Sequence, residues 1–84
     1  MSYNVFISRR AQKELSGLSG AVFKDIKQSI QSLVNEPRPH GCKKLSGREG
    51  WRIRIGDYRI IYEIDDNRKD VTILDIGHRK DIYR

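Results

Sequence analysis

The sequence predicts an α+β domain: an N-terminal strand, an antiparallel helical hairpin, and then a mainly antiparallel sheet of three or four strands with the helices packed on one face. Three observations carry that prediction. Residues 51–64, Trp-Arg-Ile-Arg-Ile-Gly-Asp-Tyr-Arg-Ile-Ile-Tyr-Glu-Ile, place a Gly-Asp pair between two β-rich runs, and the first run alternates apolar and basic side chains. This is the period-two pattern of a hairpin with one buried face. Residues 9–34 repeat their apolar positions at helical spacing, with a Ser-Gly break between two segments. Residues 71–76 are almost uniformly apolar, as in a central strand covered on both faces.

In chain order, residues 3–7 read as the opening strand, with Tyr3, Val5 and Ile7 on one face and Asn4 and Phe6 on the other. Ser8 suits the N-cap of a helix over residues 9–18, in which Ala11, Leu15 and Leu18 share a face. Ser19-Gly20 ends that helix, and Ser19 is placed to cap a second one. There Val22, Ile26, Ile30, Leu33 and Val34 form an apolar stripe, with Lys24, Lys27, Gln28 and Gln31 outside it. So short a link folds the two helices back on each other. Pro37 and Pro39 stop the second helix, since each lacks an N–H and pushes its predecessor out of the α region. Residues 43–47, Lys-Lys-Leu-Ser-Gly, fit either a short strand or a loop. Residues 65–70 form a charged turn, and residues 77–84 close the chain as a basic tail.

The hairpin can be read in register. With Gly56-Asp57 as a two-residue type II′ turn, Ile55 faces Tyr58, Ile53 faces Ile60 and Trp51 faces Tyr62, all on one side. On the other side Arg54 faces Arg59 and Arg52 faces Ile61. Like charges directly opposite each other are destabilising, by about 0.2–1 kcal/mol. A strand pair that tolerates this on the face away from its core is built to hold an anion. The predicted sheet leaves that face open, and the arginines point to it.

Composition narrows the function classes. Eighty-four residues make one domain, 1–84, with room for a single modest core. A net charge of +6 favours an acidic partner. No apolar run approaches a membrane span or a secretory h-region, so the expectation is a soluble cytoplasmic protein. Cys42 is the single cysteine, which excludes an internal disulfide, and with His40 and His78 it makes no recognisable zinc spacing. The chemistry is expected to need no metal.

Gly-Asp-Tyr-Arg-Ile-Ile-Tyr-Glu-Ile preceded by Trp-Arg-Ile-Arg, the earlier Lys-Lys-Leu-Ser-Gly, and the closing Gly-His-Arg-Lys-Asp-Ile-Tyr resemble the RelE/ParE toxin superfamily of bacterial and archaeal toxin–antitoxin modules. They resemble its RelE branch most closely, over residues 3–83. The resemblance implies a RelE-like fold and a ribosome-dependent mRNA interferase. Such a toxin is an endoribonuclease that cleaves message in the A site without metal or cofactor, inhibits translation, and is neutralised by a cognate antitoxin that wraps it. The arginine hairpin alone is shared with the ParE branch. The alternatives are therefore a non-enzymatic ParE-like inhibitor of DNA gyrase, or a catalytically degenerate basic binding module.

By position, the resemblance places Arg52 and Arg54 where the best-known RelE toxins carry a lysine pair. It places Arg59 on the phosphate-contacting arginine after the turn, Arg79 on the arginine near the end of the last strand, and Tyr83 on the tail tyrosine. His78 stands where some relatives use histidine and others lysine. Two departures accompany the match: both lysines are arginine, and three residues separate Arg79 from Tyr83. Arginine, with a pKa above about 12, cannot act as a general base.

Metal-free RNA cleavage needs a base for the 2′-hydroxyl, cations around the pentavalent phosphate, and an acid for the 5′-oxygen. Planar guanidinium groups suit the phosphate. The expected catalytic residues are Arg59, Arg79, Tyr83 and His78, and the expected RNA or phosphate contacts are Arg52, Arg54, Lys43 and Lys44. Guanidinium neighbours would favour the phenolate of Tyr83, and imidazole is the ordinary acid–base group near neutrality. Each has a plainer role beside it. The arginines also suit a solvated strand face, and Lys43 and Lys44 a charged loop. His78 also suits a surface position, Tyr83 packing on Trp51 or the sheet edge, and Arg79 an ion pair with Asp75 or Asp81. Trp51 and Tyr58 could stack bases, but their parity puts them on the apolar face, where they read as core.

Overall fold

A computed structural model describes residues 2–78. Its elements run β1 (Asn4–Ile7), α1 (Arg9–Ser16), α2 (Gly20–Ser32), β2 (Lys43–Lys44), β3 (Trp51–Ile55), β4 (Tyr58–Asp65) and β5 (Asp70–His78). The five strands form one sheet in the order β1-β5-β4-β3-β2. Every neighbouring pair is antiparallel except β1 and β5, which run parallel. This is the expected α+β arrangement, with residues 43–44 resolved as a short edge strand.

The helices begin and end for different reasons. Ser8 caps α1 as its sequence position suggests: its Oγ accepts from the Ala11 amide at 3.1 Å and donates to the Leu74 carbonyl at 3.1 Å. The helix stops at Ser16, short of the expected Leu18. Ser19 precedes α2, but its side chain makes no cap hydrogen bond. The next residue, Gly20, sits at φ +62°, so the chain enters the helix through a left-handed residue rather than through the cap geometry. Ile26 and Ile30 of α2 and Leu33 at its C-cap are buried, whereas Val22 is an exposed exception to the stripe.

The core is one cluster. Ala11 of α1 and Ile26, Ile30 and Leu33 pack with Ile60 and Tyr62 of β4 and Val71, Ile73 and Ile76 of β5. Trp51, Ile53, Ile55 and Tyr58 border it, half-buried. Burying each large apolar side chain contributes about 1.5–3 kcal/mol, so these few residues carry the fold of a highly charged chain. β4 is the strand most covered on both faces: Arg59, Ile60, Ile61 and Tyr62 are all buried in succession. β5 alternates buried with half-buried positions instead. The apolar run of residues 71–76 thus belongs to an interior strand whose second face is only partly covered.

The hairpin register is the expected one. Ile55 pairs with Tyr58, Arg54 with Arg59, Ile53 with Ile60, Arg52 with Ile61 and Trp51 with Tyr62. Gly56 lies at φ +58° while Asp57 keeps a negative φ, the combination a type II′ turn requires. The loop from α2 to β2 is fixed from two sides. Tyr62 donates from its hydroxyl to the Pro37 carbonyl at 2.8 Å, and burial pushes that hydroxyl's pKa far up. Next to it, Arg38 lies over the Trp51 ring, 5.0 Å from its centroid, and makes two hydrogen bonds to Asp66 of 3.2 and 2.8 Å. Tyr3 also donates to Asp66, at 2.8 Å. The Arg38 and Tyr3 bonds hold the Asp66 carboxyl down at about 2. These anchors set the stretch from which β2 departs to pair with β3.

Candidate nucleic-acid interface

Strand pleating decides which cations share a face. Lys43 pairs with Arg52, and Arg52 with Ile61. Two residues along, Arg54 pairs with Arg59, and Arg59 with Gly77. The face away from the helices therefore carries Lys43, Arg52, Arg54 and Arg59 as two directly facing cationic pairs, set two residues apart along β3. Gly41, Lys43, Arg52 and Arg54 line a recess of about 190 Å³ there. Gly41 had no signal in the sequence, since its place on the rim depends on how Tyr62 and Arg38 pin the preceding loop.

This face is not the uniformly open surface expected. Arg54 is exposed, but Arg59 is 3% exposed and Ile61 is 6% exposed. β4 lies between β3 and β5, and the register partners of Arg59 are Arg54 on one side and Gly77 on the other. A guanidinium held this way is preorganised, and its charge is screened less by water than an exposed one.

The remaining expected site residues fall elsewhere or beyond the described chain. Lys44 pairs with Trp51, on the opposite side of β2 from Lys43. His78 pairs with Tyr58, and their rings meet edge to face at 5.3 Å. That puts His78 on the Tyr58 side of the pleat rather than the Arg59 side. Arg79 and Tyr83 lie outside the described residues. Asp75, a candidate partner for Arg79, makes a 2.9 Å ion pair with Arg10 of α1. Trp51 and Tyr58 border the core, as their parity suggested.

A larger recess of about 760 Å³ lies toward the other end of β4, where Glu49, Glu63, Asp65, Asp66 and Asp70 outnumber Arg68. Five carboxylates against one guanidinium repel phosphate, so size does not identify the anion-binding end of the sheet; charge does. No helix among the described residues is long and apolar enough to cross a membrane.

Solved RelE toxins of toxin–antitoxin complexes share this small sheet-and-helix fold. The family model of the ParE toxin of the type II system parDE matches residues 5–83, and the chain belongs to this family. It is 33% identical to toxin RelG of Mycobacterium tuberculosis over 88 aligned positions, covering 100% of this chain and 99% of that protein. It is 24% identical to the mRNA interferase toxin RelE of Escherichia coli, over 95% of this chain and 86% of that one. Among solved structures, the archaeal RelE–RelB complex from Pyrococcus horikoshii superposes with a TM-score of 0.83 at 32% identity, covering 94% of this chain and 97% of the matched chain. The RelE/ParE resemblance read from the hairpin and tail is thereby established at the level of the superfamily.

Proposed function

We propose that the chain is a RelE-type toxin: a ribosome-dependent endoribonuclease that cleaves mRNA in the cytoplasm and is held inactive by a cognate antitoxin. The observation that carries this reading is the pair of facing cationic rungs, Lys43–Arg52 and Arg54–Arg59, on the sheet face away from the core. Support for the reaction comes from the E. coli relative named as an mRNA interferase. Support for the antitoxin comes from the P. horikoshii relative, solved as a RelE–RelB complex.

In this reading the RNA 2′-oxygen attacks the adjacent phosphorus and the bond to the 5′-oxygen breaks. The products are a 2′,3′-cyclic phosphate and a free 5′-hydroxyl, the leaving 5′-oxygen taking its proton from water. Arg59, buried and fixed, and Arg79 neutralise the charge that grows on the non-bridging oxygens, while Arg52, Arg54 and Lys43 hold flanking phosphates. Arginine cannot take the 2′-hydroxyl proton. That step falls to Tyr83 in preference to His78, whose register sets it on the Tyr58 side of the pleat. The arginines supply charge but no strong base, and the ribosome's part is to bend the message into line.

The test is cleavage of message on translating ribosomes by purified protein. Wild-type protein cuts within codons, and Arg59→Ala or Arg79→Ala abolishes cutting. Cleavage that survives both substitutions removes the site assignment. Toxicity with intact message and a DNA-damage response selects gyrase inhibition instead.

A further inference from the structure

β1 pairs with β5 only from Asn4↔Asp70 to Ile7↔Ile73. Among the described residues no strand lies beside the outer edge of β5 beyond Ile73, although this is the segment that leads to Gly77 and His78. α1 takes the strand's place. The Ser8 amide donates to the Ile73 carbonyl at 2.9 Å, and the Ser8 hydroxyl to the Leu74 carbonyl at 3.1 Å. Further along, Glu14 Oε1 accepts from the Ile76 amide at 2.9 Å in a part-buried bond. Arg10 sits between the two acidic groups, 2.9 Å from Asp75 Oδ1 and 4.0 Å from Glu14 Oε2.

The spacing is what helix and strand geometry require. Six helical residues from Ser8 to Glu14 advance about 9 Å, and three strand residues from Ile73 to Ile76 advance about 10 Å. A carboxylate on that turn therefore meets the Ile76 amide as a missing strand's carbonyl would. The position matters because the next residue is Gly77, which sits opposite Arg59. Glycine is the residue least able to hold an extended backbone unaided, so a free edge at Ile76 would let the end of β5 fray away from Arg59.

We propose that Glu14 is a positioning residue for RNA cleavage: its carboxylate closes the open edge of β5 at Ile76 and so holds the Gly77–His78 end of the strand in register with Tyr58 and Arg59. Glu14 touches no substrate in this account, and the inference rests on the nuclease reading above for its catalytic consequence only. Glu14→Gln keeps an acceptor oxygen at the same reach and preserves the tether, whereas Glu14→Ala removes it.

The experiment compares wild type, Glu14→Gln and Glu14→Ala by residue-resolved amide exchange and by message cleavage on translating ribosomes over a range of toxin concentrations up to saturation. In Glu14→Ala, exchange at Ile76, Gly77 and His78 speeds up by about tenfold or more while core amides such as Ile60 and Ile73 keep their protection. The cleavage rate falls by about ten- to a hundredfold, with half-saturation changed less than about twofold, and Glu14→Gln restores both readouts. Unchanged exchange at Ile76 in Glu14→Ala overturns the tether. Faster exchange there with wild-type cleavage overturns its catalytic consequence. A Glu14→Gln variant as impaired as Glu14→Ala overturns the acceptor role in favour of charge alone. If wild-type protein leaves message intact, it is the nuclease reading that falls, and the exchange arm still decides the tether.

Discussion

Arg54 and Arg59 stand directly opposite each other on the β3–β4 ladder, one exposed and the other buried. Facing cations oppose folding, and in the proposed function that cost is accepted for the sake of phosphate binding. Arg54→Thr, which removes the repulsion and adds a good strand former, is expected to raise the unfolding free energy by about 0.2–1 kcal/mol in urea titration. The same variant should cut message at least about tenfold more slowly at sub-saturating toxin, the cost expected for one lost charge-assisted contact to a flanking phosphate.

Lys43 and Lys44 are adjacent in sequence but lie on opposite sides of the sheet. Titrating single-stranded RNA at several salt concentrations separates them. Lys43→Ala should weaken binding and reduce the slope of log affinity against log salt by about 0.7, the loss of one phosphate contact. Lys44→Ala should leave the slope unchanged. Equal losses from the two variants would show that RNA does not follow the face assigned here.

Tyr62 donates its buried hydroxyl to the Pro37 carbonyl. Tyr62→Phe keeps the packing and orphans that carbonyl, so a loss of about 1–3 kcal/mol is expected in urea unfolding. The alkaline limb gives the sign. Because burial raises the folded tyrosine's pKa above its unfolded value, this contribution is complete below about pH 10 and declines as pH rises beyond that. Tyr62→Phe should therefore lose less stability than wild type between neutral pH and pH 11 or so.

Asp66 behaves in the opposite sense. Its carboxyl is held at about 2 by Arg38 and Tyr3, below the unfolded value of about 3.9. Its contribution is complete above that unfolded value and is lost as pH falls toward 2. The difference in melting temperature between wild type and Asp66→Asn should hold steady from pH 7 to about 5 and close as the solution approaches pH 2. A difference that persists at pH 2 would mean that the loop anchor does not depend on the ionised carboxylate.

What the sequence disclosed, and what it hid, divides along range of contact. The β3–β4 hairpin was readable to the residue because its turn chemistry and its alternation are both local, and either one set the same register. The Ser8 cap was readable for the same reason. Burial of Arg59 was not, because the alternation of residues 51–64 puts it on the same face as the exposed Arg54 and says nothing of how far that face is covered. Glu14 and Ile76 are 62 positions apart, and Arg38 and Asp66 are 28 apart; neither pair leaves a periodic trace. Lys43 and Lys44 look equivalent as a dipeptide, and only the pairing of residue 43 with Arg52 tells them apart. The arginine row was therefore legible as a set of residues, but its floor, rim and supports were not.

The most direct measurement of the central claim is a transcriptome-wide map of RNA 5′ ends after brief expression of wild type and of Arg59→Ala. The account predicts new 5′-hydroxyl ends inside translated reading frames, recurring at one fixed position within codons in the wild type and missing with Arg59→Ala. Message that stays intact in cells arrested by the wild-type protein, or ends that recur equally with the arginine removed, would contradict it.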